Sequence, residues 1–287
     1  MKNFFFTLFK QSVLLFAGSG LGKIKIIDRV YHFLLPKLKP EYIEIEDTRI
    51  ITDKLDSLSL SVFGVYEKTL VSTIKTYIKK GDIVCDIGAH DGYHTLIMSK
   101  AVGKRGKVYA FEPDPGNFSL LKRNVENNNI KNVILIKEAV SDKCGTVKLY
   151  QNPNNRSDNG IIGKHNGYSF IKVETITLDR FFAKNNKVDF IKMDIQGAEP
   201  LAFKGMANLI RKNKRIKIIM ELRPGLVKNG VKSSKIMLKR LHKSGFNFYY
   251  INELSHKLQL VDTDKLMKLA VKEIEINIFC TREKHNV

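Results

Sequence analysis

The stretch Asp86-Ile87-Gly88-Ala89-His90-Asp91-Gly92 follows a short apolar run, Asp82–Ile87, and precedes a segment of helical character, Tyr93–Ala101. Glycine has no Cβ, so the backbone can turn tightly there and approach a ligand closely. The helix that follows aims its first N–H groups at whatever is bound in the turn. Residues 82–101 therefore predict a strand–turn–helix unit of an α/β protein, with a ligand at the turn.

The spacing of the glycines narrows the kind of ligand. The dinucleotide pattern G-x-G-x-x-G would need glycine at His90 and Tyr93, and the phosphate-binding pattern G-x-x-x-x-G-K-[ST] does not occur. Glu112 ends the next predicted strand, 24 residues after Gly88. A carboxylate at that place can accept both ribose hydroxyls of a nucleoside. The pattern indicates a nucleoside cofactor with no phosphate in the turn; an ordinary α/β turn beside a surface glutamate is the alternative.

Strand and helix patterns alternate along the rest of the chain. We predict strands at Lys107–Phe111, Val133–Lys137, Val188–Met193, Ile216–Leu222, Phe246–Ile251 and Ile274–Cys280, and helices at Pro115–Asn128, from Met193 to about Arg211, and at Ser233–Lys243. Near-continuous apolar strands between helices predict a parallel sheet covered on both faces. Two further strands, Thr146–Tyr150 and Ser169–Val173, flank a polar loop, Gln151–Gly167. Such a long loop inside a compact domain is usually functional or mobile.

The length and composition fit one large domain, or one domain with an appendage. The chain has 287 residues, 43% of them hydrophobic, which is enough for a sizeable core and excludes a disordered, collagen-like or disulfide-dependent chain. Its 49 Lys and Arg exceed its 29 Asp and Glu, so the net charge is +20. Such a field favours anionic partners: nucleic acid, an anionic membrane face or an acidic substrate.

The three cysteines, Cys85, Cys144 and Cys280, stand far apart and form no CxxC pair. They predict neither a disulfide framework nor a zinc site. A reducing compartment is the simplest interpretation, so we expect a cytoplasmic protein.

Residues 1–40 form a basic and apolar N-terminal arm. They hold seven Lys and Arg, one acid, Asp28, and many Phe and Leu side chains. This composition is typical of an amphipathic helix in peripheral contact with an anionic membrane. A helical arm that packs on the domain or on a second subunit is the alternative. A signal peptide is disfavoured because Lys10 interrupts its apolar region, and the charge-free run Gln11–Gly22 is too short to span a bilayer.

A boundary follows from the prolines that end the arm, Pro36 and Pro40. We predict an N-terminal basic amphipathic helical arm at 1–40 and one α/β domain at 41–287, with its cofactor half at 82–150.

Six stretches occur in succession between residues 84 and 222, nearly half of the chain. They are VCDIGAHDGYHTL (84–96), GKVYAFEPDPGNFSLLKRNV (106–125), EAVSDKCGTVKLY (138–150), VETITLDRF (173–181), DFIKMDIQGAEPLAFKG (189–205) and IIMEL (218–222). In this order they resemble the FkbM family of class I methyltransferases. The resemblance implies a Rossmann-like fold with a seven-stranded, mostly parallel sheet, an antiparallel last strand and helices on both faces. It also implies S-adenosylmethionine as cofactor and methyl transfer to oxygen, since known acceptors in the family are hydroxyls of sugars and secondary metabolites.

One position departs from the family pattern. The family usually has glutamate in its D-x-E-G-x-E segment, whereas this chain has Gln196 between Asp194 and Gly197. A role that needs a negative charge at position 196 is therefore not carried over, while Asp194, Gly197 and Glu199 match.

The chemistry of S-adenosylmethionine suggests a role for each candidate residue. We expect Asp86 and the turn formed by Gly88, Ala89, His90 and Gly92 to hold the methionine end, whose ammonium needs a carboxylate. Glu112 is expected to bind the ribose. The adenine is expected between Pro113 and the strand end Glu138, Ala139 and Val140. Asp194 ends the fourth strand and is expected in the same crevice, because ligands of open α/β sheets bind at the carboxyl ends of strands.

Methyl transfer to a hydroxyl also requires removal of a proton. The candidate bases are Asp194, which we favour, Glu199, His90 and His94. Each has a structural alternative: Asp194 as a cofactor ligand, Glu199 as a partner of its helix N-terminus, His90 as a turn residue and His94 as a surface residue. No metal-ligand spacing occurs among these residues, so we predict no metal.

A basic run extends from residue 200 to 252. It holds one acid, Glu221, and thirteen basic residues: Lys204, Arg211, Lys212, Lys214, Arg215, Lys217, Arg223, Lys228, Lys232, Lys235, Lys239, Arg240 and Lys243. A solvated face is one interpretation; an acidic glycan, an anionic membrane or nucleic acid as partner are the others.

Three functions are compatible with the sequence. An O-methyltransferase acting on a sugar, glycan or glycolipid hydroxyl is favoured. A nucleic-acid methyltransferase acting on RNA ribose is the second, although residues 194–197 lack the Asn/Asp-Pro-Pro-aromatic signature of base methylation. A non-catalytic binding module that kept the fold is the third.

Overall fold

A computed structural model describes residues 2–17, 19–20, 24–153, 155–162, 168–185 and 187–285. Its strands are β1 (Ile43–Ile45), β2 (Thr48–Ile50), β3 (Ile83–Ile87), β4 (Lys107–Phe111), β5 (Val133–Ile136), β6 (Ala139–Val140), β7 (Gly145–Gln151), β8 (Ser169–Ile176), β9 (Phe190–Met193), β10 (Lys217–Leu222), β11 (Asn247–Asn252), β12 (Lys257–Val261) and β13 (Ile276–Thr281). Its α-helices are α1 (Lys2–Phe16), α2 (Lys25–Leu38), α3 (Leu60–Phe63), α4 (Lys68–Tyr77), α5 (Tyr93–Val102), α6 (Pro115–Asn127), α7 (Leu178–Phe181), α8 (Glu199–Lys204), α9 (Ala207–Lys212), α10 (Gly230–Lys243) and α11 (Thr263–Lys272).

Eight strands form the central sheet in the order β12-β11-β13-β10-β9-β3-β4-β5. The five strands from β10 to β5 in this order are parallel, and β13 is antiparallel to both of its neighbours. The α/β class and the antiparallel last strand are therefore confirmed.

The predicted count of seven strands is wrong by one. Strand β12 adds to the edge of the sheet, antiparallel to β11. Most of its side chains are at least partly exposed, as is usual for an edge strand, so it lacks the apolar run that marks the inner strands.

The inner strands bury both of their faces, which explains their continuous apolar runs. Cys85 of β3 and Ile191 of β9 pack on one side with residues of α8 to α11. Their neighbours Val84 and Phe190 pack on the other side with residues of α4 and α5. Complete burial of such a side chain contributes about 1.5–3 kcal/mol to folding, so these strands place the site on a rigid base.

Two predictions about local structure need correction or refinement. The single helix expected up to Arg211 is two helices, α8 and α9, with Gly205 as the C-cap of α8, where an added Cβ would lie 2.0 Å from the carbonyl oxygen of Ser141. The strands predicted outside the alternation, β7 and β8, do pair antiparallel, and β6 joins β8 to complete a three-stranded sheet. Residues 154 and 163–167 of the loop between them lie outside the described ranges.

The arm consists of α1 and α2. Phe6 of α1 and Leu35 of α2 are buried against Val62 of α3. Just beyond α2, the buried Lys39 donates hydrogen bonds from Nζ to Oγ1 (2.6 Å) and to the carbonyl oxygen (3.2 Å) of Thr52. The arm therefore packs against the part of the chain that follows it. The predicted domain boundary at residue 40 stays a prediction.

Candidate active site

The glycine turn joins β3 to α5 with an unusual backbone. Gly88, His90 and Gly92 have φ values of 79°, 51° and 94°. A Cβ at Gly88 would lie 1.9 Å from the carbonyl oxygen of Asp194, and one at Gly92 would lie 2.7 Å from a methyl group of Leu121. The turn therefore requires glycine at both positions, and it brings β3 and the end of β9 into direct contact.

A cavity opens above this turn, at the carboxyl ends of the parallel strands, with about 820 Å³ of space including its open mouth. Eight of the sequence-predicted cofactor and catalytic residues line it: Gly88, Ala89, His90, Glu112, Pro113, Ala139, Val140 and Asp194. His94 lines it as well. Four predicted residues are not among its lining residues: Asp86, Gly92, Glu138 and Glu199.

Glu112 is held by the backbone on both sides. Its carboxylate accepts the N–H of His90 (2.8 Å) and the N–H of Asp114 (2.9 Å). Burial raises the pKa of Glu112 to about 7, although His90 and the two N–H donors oppose the rise. The carboxylate is thus fixed in place at the cavity wall and has lone pairs left for hydroxyl donors.

His90 is a buried cation. Burial opposes its positive charge, but the carboxylate of Asp91, 3.6 Å from Nδ1, and that of Glu112 raise the pKa of His90 to about 9. Neither ring nitrogen has a hydrogen-bond partner among the described residues. Nδ1 is turned toward Asp91, which leaves the Nε2–H of a protonated imidazole to bind an anion.

Lys192 is a site residue that sequence reasoning missed. It lines the cavity from β9, and its Nζ lies 3.6 Å from Oδ2 of Asp194 and 3.8 Å from Oδ1 of Asp86. Burial alone would lower the pKa of Lys192, but Asp194 and Asp86 raise it above its ordinary value, so the side chain stays charged. The available signal was a lone charged residue inside a fully buried strand, which needs a charged partner.

Asp86 lies beneath the cavity. It is completely buried, and its Oδ2 accepts a hydrogen bond from Oγ1 of Thr95 (2.6 Å). Burial raises the pKa of Asp86, while Lys192 opposes the rise. Its Oδ1 has no hydrogen-bond partner within the described ranges. Direct contact of Asp86 with a cofactor ammonium stays a prediction.

Gln196 links two acids that a glutamate could not link. Its Nε2 donates to Oδ1 of Asp194 (3.0 Å) and to Oε2 of Glu221 (3.3 Å), and its Oε1 accepts from Arg223. Burial and the charge of Asp194 raise the pKa of Glu221 well above its ordinary value. The amide at position 196 therefore supplies hydrogen-bond donors where a third carboxyl group would add repulsion.

Glu199 faces the backbone of its own helix start. Its Oε1 accepts the N–H of Gly197 (3.1 Å) and of Ile195 (3.3 Å). Burial raises the pKa of Glu199 to about 7. The side chain shapes the loop that carries Asp194, and its predicted role as a base stays a prediction.

His94 and Glu67 form a buried pair at the opposite wall. Nε2 of His94 lies 3.7 Å from Oε2 of Glu67, and no hydrogen-bond partner of this nitrogen occurs in the described part of the chain. Burial lowers the pKa of His94 well below 6.5, and Lys192 and His90 act in the same direction. Burial and the charge of Asp194 raise the pKa of Glu67 to about 8. His94 is therefore a neutral imidazole at neutral pH.

A sequence model of the methyltransferase FkbM domain matches residues 86–248, more than half of the chain. The chain belongs to the FkbM methyltransferase family. The resemblance inferred from the sequence is thereby confirmed.

Individual relatives of this FkbM-family chain are more distant. It is 41% identical over 64 residues to a protein of Saccharolobus solfataricus named probable cobalt-precorrin-6B C(15)-methyltransferase, covering 22% of this chain and 32% of that protein. The chain thus spans about a third of the length of this curated relative. A solved SAM-dependent O-methyltransferase of Thermotoga maritima has a TM-score of 0.41 and 16% identity, with 89% of this chain and 82% of that chain covered. A SAM-dependent methyltransferase of Aquifex aeolicus has a TM-score of 0.42 and 17% identity, with 76% and 89% covered.

The residues of this FkbM-family site fit S-adenosylmethionine as cofactor. Glu112 presents a carboxylate for the ribose hydroxyls, and Pro113, Ala139 and Val140 leave an apolar space for the adenine. Nε2 of His90, which has no hydrogen-bond partner among the described residues, suits the carboxylate of the methionine end. The positions are those predicted from the sequence, and the role of each residue stays a prediction. The described residues contain no group of three or more His, Cys, Asp or Glu placed to hold a metal.

The basic run lies elsewhere. Its basic residues are spread from α8 to α10, and none of them lines the cavity within the described ranges. Some are paired with acids outside the run: Arg223 with Asp158 and Glu275, and Lys235 with Asp264. The basic residues of the run therefore lie outside the cavity, and Arg223 contacts the candidate site described above by donating to the cavity-lining Gln196.

Proposed function

We propose that this chain transfers a methyl group from S-adenosylmethionine to a hydroxyl oxygen of a sugar, glycan or glycolipid. One observation carries the proposal: the neutral imidazole of His94 lines the same cavity as Glu112. A hydroxyl is a weak nucleophile until its proton is removed, and a neutral imidazole is a common proton acceptor.

The polar wall of the cavity supports a hydroxylated acceptor. Ser157 and Asn159 line it from the segment between β7 and β8, next to Arg156. Hydrogen bonds hold this segment: Oγ of Ser157 donates to Asn155 (2.7 Å), and Nδ2 of Asn159 donates to Asp114 (3.2 Å). Polar groups that are fixed in place in this way can orient a small polar ligand.

The cofactor, when bound, supplies a methyl group that is already activated on a sulfonium. Glu112 and His90 would hold the cofactor, and His94 would accept the proton that the acceptor hydroxyl loses when it is methylated. Glu67 lies behind His94 and fixes the orientation of the ring. General-base catalysis of this kind contributes about 10²–10⁴-fold to the rate.

Asp194 and His90 are assigned other roles in this proposal. Asp194 accepts a hydrogen bond from Nε2 of Gln196 (3.0 Å), and its Oδ2 lies 3.6 Å from Nζ of Lys192, so its carboxylate is already engaged by two neighbours. His90, with its pKa raised to about 9, already holds its proton at neutral pH. We assign Asp194 to positioning within the site and His90 to anion binding.

The proposal is tested by following product formation with sugar nucleotides, glycans and glycolipids as acceptors, and by locating the new methyl group by mass spectrometry and NMR. We expect a methyl ether. His94→Gln is expected to lower kcat about 10²–10⁴-fold and to leave cofactor affinity within a few-fold of wild type. His242→Gln, on the exposed face of α10, is the matched control.

A methyl group on carbon or nitrogen, or on RNA ribose, would contradict the proposed acceptor class. Full activity of His94→Gln would contradict the assigned base.

A further inference from the structure

The arm presents an unusual amount of apolar surface to solvent. Of the 22 large apolar side chains that are exposed in the described chain, eleven lie between residues 4 and 33. They are Phe4, Phe5, Leu8, Leu14, Leu15, Phe16, Ile24, Ile26, Ile27, Val30 and Phe33. Contiguous exposed apolar surface on this scale marks a site of interaction rather than ordinary surface.

This exposure does not come from a failure of the arm to pack. The other side of the same helices is buried: Phe6 and Leu35 contact Val62, and the rings of Phe9 and Tyr31 stack with centroids 5.7 Å apart. The arm therefore has one apolar side against the protein and a second one facing outward.

The charges around the outward side are mostly positive. Lys25, Arg29 and Lys37 are exposed, and Nζ of Lys37 lies 3.2 Å from the ring centroid of the exposed Phe33. The single acid of the arm, Asp28, is 3.2 Å from Nδ1 of His32. An apolar helix surface with basic residues around it matches the interface of an anionic bilayer, where the apolar side chains enter the acyl boundary and the cations meet the head groups.

We propose that the arm, through residues 4–33, docks this protein on an anionic bilayer. A second copy of the chain fits the same surface less well, because an isologous contact would bring two basic arms together in a chain of net charge +20. The arm lies in the plane of the interface. No helix of the described residues is long and apolar enough to cross a membrane, and α1, with 15 residues, is about 22 Å long.

The same docking brings the cavity close to the bilayer. Val62 of α3 packs in the arm, while Leu58 just before α3 and Tyr66 just after it line the cavity. Between them, Phe63 and Val65 are exposed and extend the apolar surface from the arm toward the cavity mouth. This step rests on the proposed function. Because the cavity lies close to the bilayer, the hydroxyl that is methylated belongs to the head group of a lipid-anchored acceptor.

Docking is tested with the full chain in a vesicle flotation assay without cofactor or acceptor, so its result does not depend on the proposed activity. We expect binding to vesicles of phosphatidylcholine and phosphatidylglycerol, and much weaker binding to phosphatidylcholine alone. Leu15→Glu and Ile26→Glu replace side chains that are 77% and 70% exposed, so we expect both variants to fold like wild type. Each is expected to reduce binding about tenfold or more, since burial of such a side chain contributes about 1.5–3 kcal/mol.

Leu254→Glu and Leu260→Glu are the matched controls, because these leucines are 96% and 60% exposed but lie at β12 and its preceding turn, outside the arm. They are expected to bind vesicles like wild type. Equal binding by all four variants would overturn the docking surface. Wild type could instead fail to bind vesicles and form a concentration-dependent dimer that Leu15→Glu does not form. That result would assign the surface to a second copy of the chain and overturn the proposed docking on a bilayer.

The acceptor class has its own readout. A glycolipid in vesicles and its water-soluble head group are compared as acceptors for wild type and Leu15→Glu. We expect the variant to raise KM for the vesicle-bound acceptor only. An equal change for both acceptors would overturn the lipid-anchored acceptor, whereas vesicle binding without methyl transfer to either would contradict the proposed function and leave the docking intact.

Discussion

Three glutamates in or next to the cavity have pKa values well above those of exposed carboxyls. Burial raises the pKa of Glu67 to about 8 and those of Glu112 and Glu199 to about 7. Each of these groups titrates in the range where the site is expected to work. The protonation state of these glutamates therefore depends on how far each side chain is buried, and not only on the presence of a carboxyl group.

Glu199→Gln tests this burial through stability. The carboxyl of Glu199 has an ordinary pKa of 4.5 in the unfolded chain and about 7 in the folded protein, so the folded state binds the extra proton between these values. The stability from this group is complete below about pH 4.5 and is lost as pH rises through about 7. We expect the free energy of unfolding to fall less steeply with pH in Glu199→Gln, which becomes more stable than wild type near pH 8.

The measurement is urea unfolding across this pH range, with Glu126→Gln, an exposed acid of α6, as control. Parallel curves for wild type and Glu199→Gln would contradict the raised pKa.

Among the elements, the β3–α5 turn has the tightest backbone constraint. Gly88 and Gly64 have nearly equal φ values, 79° and 76°, but different surroundings. A Cβ at Gly88 would lie 1.9 Å from the Asp194 carbonyl oxygen, whereas a Cβ at Gly64 would contact nothing within 4 Å. Alanine substitution at Gly64 measures the loss of stability from the left-handed backbone alone, and the same substitution at Gly88 adds the loss from crowding the end of β9.

Gly64→Ala is expected to lower the free energy of unfolding by about 1–2 kcal/mol, the ordinary cost of alanine in the left-handed region. Gly88→Ala adds the displacement of the end of β9, so we expect a loss above about 4 kcal/mol or a chain that does not fold. Urea denaturation of both variants measures the difference. Equal losses would show that the turn does not hold β9 in place.

The elements also show what the sequence could predict. Strands β3, β4, β9 and β10 were predictable to within about two residues because both of their faces are buried, which produces continuous apolar runs. β12 was not predicted, because an edge strand exposes one side and lacks a continuous apolar run. α4 was not predicted either, because its first N–H groups are bound by Glu253, which is far away in the sequence. Local pattern carries no information about such a long-range cap.

Some residues of the candidate site were predictable from the sequence and others were not. The turn and Glu112 were predictable because each is tied to the end of its own strand. Lys192 and Glu67 were missed because their partners come from other strands and helices: Asp86 for Lys192, and His94 for Glu67. Only the assembled sheet brings these charges together.

At the scale of the whole molecule, the candidate cofactor site, the basic run and the arm lie in different parts of the fold. The parallel strands gather the candidate cofactor residues at one edge of the sheet, while the basic run lies on other elements and outside the cavity. The arm adds a third surface, next to the cavity mouth through α3.

The central claim is that this cavity binds S-adenosylmethionine with Glu112 on its ribose. It is tested most directly by titration calorimetry of S-adenosylmethionine with wild type, Glu112→Gln and the control Glu126→Gln. We expect micromolar binding by wild type and the control, and a loss of roughly tenfold to a hundredfold in Glu112→Gln, as for a hydrogen bond to a charged group worth about 1.5–3 kcal/mol. Wild-type affinity should also rise with pH through about 7, as Glu112 ionises. No binding by wild type, or equal binding by Glu112→Gln, would contradict the claim.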